Sequence, residues 1–100
     1  MTLSEEKLQR LIQIKAELEA LKAQTLIVNK KYTDDLDAMN WELEQRMGEA
    51  GDSITDEERQ ILYDRFCFRL INAMRARFAA LKALDARFQQ CAKILREIDN

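Results

Sequence analysis

Residues 63–98 read YDRFCFRLINAMRARFAALKALDARFQQCAKILREI. Within them Tyr63, Cys67, Leu70, Met74, Arg77, Leu81, Leu84, Phe88, Cys91, Leu95 and Ile98 follow one another in steps of four and three. That alternation keeps one side of a helix turned to one partner, and five consecutive heptads of it predict a coiled-coil seam. Ten of the eleven positions are uncharged, and no glycine or proline interrupts them. The stretch therefore reads as a single long helix.

The start of that helix is marked upstream. Thr55-Asp-Glu-Glu58 has the capping-box spacing, with three acids where the helix dipole favours them. Further back, Gly48-Glu-Ala-Gly51-Asp-Ser holds the chain's only two glycines, and either suits the left-handed residue that ends a helix. A second capping box, Thr2-Leu-Ser-Glu5, opens the chain. The expected layout is helix 1 over about 3–48, a turn over about 49–55 and helix 2 over about 56–98, in one all-α domain spanning 1–100.

Helix 1 carries its own seam: Leu11, Ile14, Leu18, Leu21, Thr25, Val28, Tyr32, Leu36, Met39, Leu43 and Met47. The consecutive fours at Val28–Tyr32–Leu36 form a stutter, which locally unwinds a left-handed supercoil. Thr25, Ile27, Val28 and Asn29 are weaker helix formers, and Thr33-Asp34-Asp35 resembles a cap. The alternative is a three-helix bundle with a break near 29–34. The absence of proline and glycine there favours continuity.

The chain has 100 residues, 34% charged and 47% hydrophobic. That is too apolar for disorder and too charged for a membrane protein. No run approaches the ~20 apolar residues of a membrane span, and the first residues lack a basic-then-apolar signal, so the expected location is cytoplasmic. There is no histidine, no glycine-rich phosphate loop and no CxxC pair. Nothing argues for an enzyme, a cofactor, a metal or a small-molecule substrate. Asp35-Leu-Asp37 and the region of Asp52 lack the calcium-loop pattern. Cys67 and Cys91 are too far apart on one helix to pair, and their seam positions read as buried, reduced thiols.

Charge is unevenly placed around a net −2: +2 over residues 1–33, −9 over 34–58, +7 over 59–96 and −2 over 97–100. Opposite blocks in a small domain usually face each other. Arg65 and Arg69 are thus expected to meet Asp34, Asp35 and Asp37. Arg77, inside the apolar seam, has Asn29 and Gln24 as its nearest polar candidates, and its replacement by leucine is expected to raise stability.

Each helix also has a second apolar face. Helix 1 places Leu8, Ile12, Ala16, Ala23, Leu26, Ile27 and Trp41 away from its seam; helix 2 places Ile61, Phe68, Ala76, Ala79, Ala83, Ala86 and Ile94 there. A helix packed on one side should show charge instead. The sequence therefore predicts that the antiparallel hairpin associates, as a homodimeric four-helix bundle or with another helical protein. Candidate partner-binding residues are Ile12, Asp34, Asp37, Trp41, Ile61 and Phe68, Trp41 sharing its face with the two acids. The function expected is a non-enzymatic adaptor, chaperone or inhibitor. The alternative is a nucleic-acid-binding helical dimer gripping phosphate through Arg65, Arg69, Arg75 and Arg87.

Overall fold

The computed structural model describes residues 4–99. Helix α1 spans Glu5–Ala50, one 3-10 turn covers Gly51–Ser53, and α2 spans Asp56–Asp99. The two long helices pack against each other as a hairpin, with no strand among the described residues. The three-helix alternative is overturned, because α1 runs unbroken through 29–34. Its weak stretch stays helical, and its hydroxyls are satisfied within it: that of Thr25 donates to the Leu21 carbonyl and that of Thr33 to the Asn29 carbonyl. The ion pairs Lys30–Asp34 and Lys31–Asp35 span the same turns.

Thr55 caps α2 as its spacing predicts, its hydroxyl accepting the Glu58 N–H at 3.1 Å. Thr2 lies outside the described residues; the cap of α1 is Ser4, which accepts the Lys7 N–H at 3.2 Å. Of the two glycines, Gly51 takes the left-handed conformation, at φ 56°, and Gly48 stays inside α1. The position where the chain leaves the helix is therefore Gly51, for which a side chain would carry backbone strain.

Contacts divide the chain into two compact units, residues 1–28 with 79–100 and residues Asn29–Phe78. In the first, Ile14 and Leu21 of α1 meet Leu84, Cys91 and Ile98 of α2 in a buried cluster, with Leu11, Leu18, Leu81, Phe88 and Leu95 packed around it. Both helices here keep the heptad spacing that the sequence predicts. Leu21 is the one fully buried large side chain among the described residues.

The turn-containing unit, Asn29–Phe78, follows a different period. On α1 its inward residues are Tyr32, Leu36, Met39, Leu43 and Met47, as expected, and also Ala50, with Met39 only 5% exposed. On α2 they are Leu62, Phe66, Leu70 and Ala73, all half-buried. This corrects the seam predicted for α2: Tyr63 and Met74 are exposed, and so is the Cys67 thiol, which was expected to be buried with Cys91. The steps 62–66–70–73 run four, four, three, so an eleven-residue period replaces seven. Eleven residues in three turns is 3.67 per turn, which does not coil leftward as heptads do. On the facing segment of α1, Met39, Leu43 and Met47 also step four-four, so the two helices mesh here with the same spacing.

Candidate docking face

Arginines tie the flank of each unit. In the turn-containing unit, Arg69 Nη1 donates to Glu42 Oε2 at 2.6 Å, and Arg46 reaches the other Glu42 oxygen at 3.0 Å. The hydrogen bond from Arg69, then its charge, and then Arg46 hold the Glu42 carboxyl below the usual carboxylate range. The expected partners Asp34 and Asp35 are instead paired within α1, to Lys30 and Lys31. Lys30 is held above its ordinary range chiefly by the Asp34 hydrogen bond. The sequence-based pairing of opposite blocks is thus correct in kind for Arg69 but names the wrong acid. Glu42 holds the same place beside the seam as Asp35 but seven residues nearer the turn, level with Arg69.

Arg77 is exposed at the seam edge. Its Nε donates to Asn29 Oδ1 at 3.0 Å and its guanidinium lies 5.0 Å from the centre of the Tyr32 ring. Asn29 is one of the two partners its position suggested. In the other unit, Arg87 donates to Glu17 Oε1 at 2.6 Å and to Gln24 Oε1 at 3.1 Å. Arg69 and Arg87, two of the four arginines considered for phosphate, therefore already hold carboxylates. Arg65 stands beside Arg69, Arg46 and Glu42 along one hollow. Arg75 lies apart from them, on the outward side of α2.

The outward sides are where apolar surface remains. Trp41 is 64% exposed and points away from the α1 seam, on the face that carries Asp34 and Asp37, both also exposed. Ile12 is exposed in the other unit, one turn from exposed Leu8. On α2, Ile61 and Phe68 are exposed, and two residues that sequence reasoning did not single out join them: Ile71 and Phe78. Phe68 and Phe78 are 67% and 69% exposed.

Helical spacing gathers these four. Residues 61, 64, 68, 71, 75 and 78 advance by three, four, three, four and three, so Ile61, Asp64, Phe68, Ile71, Arg75 and Phe78 form one heptad stripe. It lies on the side of α2 opposite Leu62, Phe66, Leu70 and Ala73, and hence away from α1 within this unit. The signal was present in the sequence as a second 4-3 line, hidden because two of its six positions are charged. Between residues 60 and 79 α2 contains no lysine and no glutamate, the usual cover of a solvated helix face.

Among the described residues, no group of three or more His, Cys, Asp or Glu side chains gathers as a metal site. No described helix is long and apolar enough to cross a membrane. Comparison of the chain with protein-family models, with curated proteins and with solved structures gave no match.

Proposed function

We propose that this chain is a non-enzymatic interaction module, an adaptor, chaperone or inhibitor, that works by burying the outward face of α2 against another helix. The observation that carries the reading is the stripe itself. Four large apolar side chains stand exposed in heptad register on a helix whose opposite side is already occupied by α1. Heptad spacing is the pattern by which helices recognise helices, and the absence of lysine and glutamate around it favours burial over solvation. The carboxylates on Arg69 and Arg87 weigh against phosphate as the ligand, since each would have to be displaced first. Trp41 with Asp37 offers a second contact on α1, suited to an aromatic anchor and a basic rim, while Asp34 on the same face is already paired to Lys30.

The test is retention of proteins from an extract of the source cells by immobilised chain, beside a chain carrying Ile61→Asp and Phe68→Asp. The reading expects a defined helical protein, or the chain itself, held by the first and not by the second. Retention should change little between about 50 and 200 mM salt, a range over which phosphate binding falls steeply. Retention of nucleic acid that is lost with salt, or of a protein indifferent to both substitutions, would overturn it.

A further inference from the structure

The geometry points to a second copy of this chain as the helix that covers the stripe, seated antiparallel on α2. This deepens the interaction-module reading and rests on it.

The order of residues along the stripe is itself symmetric. From residue 61 upward it reads apolar, acidic, apolar, apolar, basic, apolar: Ile61, Asp64, Phe68, Ile71, Arg75, Phe78. Read from residue 78 downward, the pattern is the same with the charges exchanged. The stripe therefore has a mirror point between residues 69 and 70. An antiparallel copy related by a two-fold axis through that point places Ile61 against Phe78 of the second copy, Asp64 against its Arg75, and Phe68 against its Ile71. Each layer occurs twice, as an isologous interface requires. A parallel copy in register would set Asp64 on Asp64 and Arg75 on Arg75, so the charges choose the direction.

The surface is shaped for this. Ile61, Asp64, Arg65 and Phe68, with Arg69 beside them, frame an open hollow on α2. Residues i, i+3, i+4 and i+7 are the four that make a hole for a knob in a coiled coil. In the antiparallel register the side chain that arrives over this hole is Arg75 of the second copy, beside Asp64. Both charges are available for it. Among the described residues neither Asp64 nor Arg75 takes part in an ion pair, and Asp64 only accepts a hydrogen bond from the Gln60 amide, at 2.9 Å.

The test uses sedimentation equilibrium on the full chain and on charge-reversed variants. The wild type should sediment at twice its 11.7 kDa at high micromolar concentration. Asp64→Arg sets arginine against arginine in two layers, and Arg75→Asp sets acid against acid. Each single variant should raise the dissociation constant by at least about tenfold, because like charges facing each other are strongly unfavourable. The double variant Asp64→Arg/Arg75→Asp, and an equimolar mixture of the two single variants, should both recover the dimer. Circular dichroism of each single variant checks that its helix content is kept, and recovery in the mixture shows that both chains fold. A wild type that stays monomeric, single variants that dimerise like the wild type, or a double variant that does not recover would each overturn the proposal. A monomeric wild type that still retains a helical protein through Ile61 and Phe68 would sink self-pairing alone and leave the interaction module standing.

Discussion

Met39 and Met74 offer a matched pair for the corrected seam. Both lie on apolar lines of the sequence, and both are in the turn-containing unit. Met39 is 5% exposed and Met74 52% exposed. Truncating either to alanine removes the same atoms and gains the same small helix propensity, so the difference between them isolates burial. Complete burial of a methionine is worth about 1.5–3 kcal/mol, and an incompletely collapsed cavity adds to the loss. A two-helix layer can close partly over the gap, so Met39→Ala should cost about 2–3 kcal/mol, at the low end of the core range. Met74 keeps half of its surface in water and bounds no closed space, so Met74→Ala should cost about 1 kcal/mol or less. The gap of at least about 1 kcal/mol corresponds to at least about 4 °C in Tm for a domain of this size. Urea unfolding followed by circular dichroism reads it, at one fixed protein concentration because association would shift the midpoint. Equal losses, or a larger one at Met74, would return α2 to the Tyr63–Cys67–Leu70–Met74 line and refute the eleven-residue period.

Three further outcomes follow from particular sites. Gly48→Ala should stabilise by about 0.5–1 kcal/mol, since its helical position is open to a methyl group, while Gly51→Ala at positive φ should destabilise by about 1–2 kcal/mol; opposite signs in thermal melts check both. Glu42 titrates below its unfolded value of about 4.5, so its pairing with Arg69 stabilises the fold above that pH and is lost as pH falls through the lowered value. The urea midpoints of wild type and Glu42→Gln should therefore differ at neutral pH and converge as pH falls through the lowered value, and added salt should narrow the gap. Arg77→Leu should now lower stability, by about 1 kcal/mol, because it loses the Asn29 bond and the Tyr32 contact and leaves an exposed leucine. A double-mutant cycle of Arg77→Ala with Tyr32→Leu should give a coupling of about 0.5–1 kcal/mol.

The hairpin was legible because its punctuation is unambiguous. Two glycines, a Thr55 cap and two long proline-free periodic stretches leave few other arrangements. The heptad half was legible too, since Leu81, Leu84, Phe88, Cys91, Leu95 and Ile98 form the one line of large residues in steps of three and four there; Ile94, expected on the second face, packs against the buried cluster instead. The α2 seam near the turn was not. Leu62–Phe66–Leu70–Ala73 and Tyr63–Cys67–Leu70–Met74 are both apolar, share Leu70 and are offset by a single residue. Composition cannot choose between them; the four-four steps Met39–Leu43–Met47 on the facing segment of α1 do, once the two helices are required to mesh. For the same reason Cys67 and Met74 were expected inside. The docking stripe was half legible: Ile61 and Phe68 stood out as apolar residues off the seam. Ile71 and Phe78 were not legible, because an α2 face interrupted by Asp64 and Arg75 resembles ordinary solvated surface.

The most direct measurement of how α2 is covered is the distance between single spin labels on two copies. Labels at Asn72→Cys and, separately, Gln60→Cys sit on exposed positions flanking the stripe, with Cys67→Ser removing the exposed native thiol and buried Cys91 left in place. With the two-fold axis between residues 69 and 70, the backbone separation along the helix is about 8 Å at residue 72 and about 29 Å at residue 60, from a rise of about 1.5 Å per residue. Electron resonance should thus find a short distance at 72 and a long one at 60. Equal distances at both positions, or no coupling between copies at either, would contradict the account.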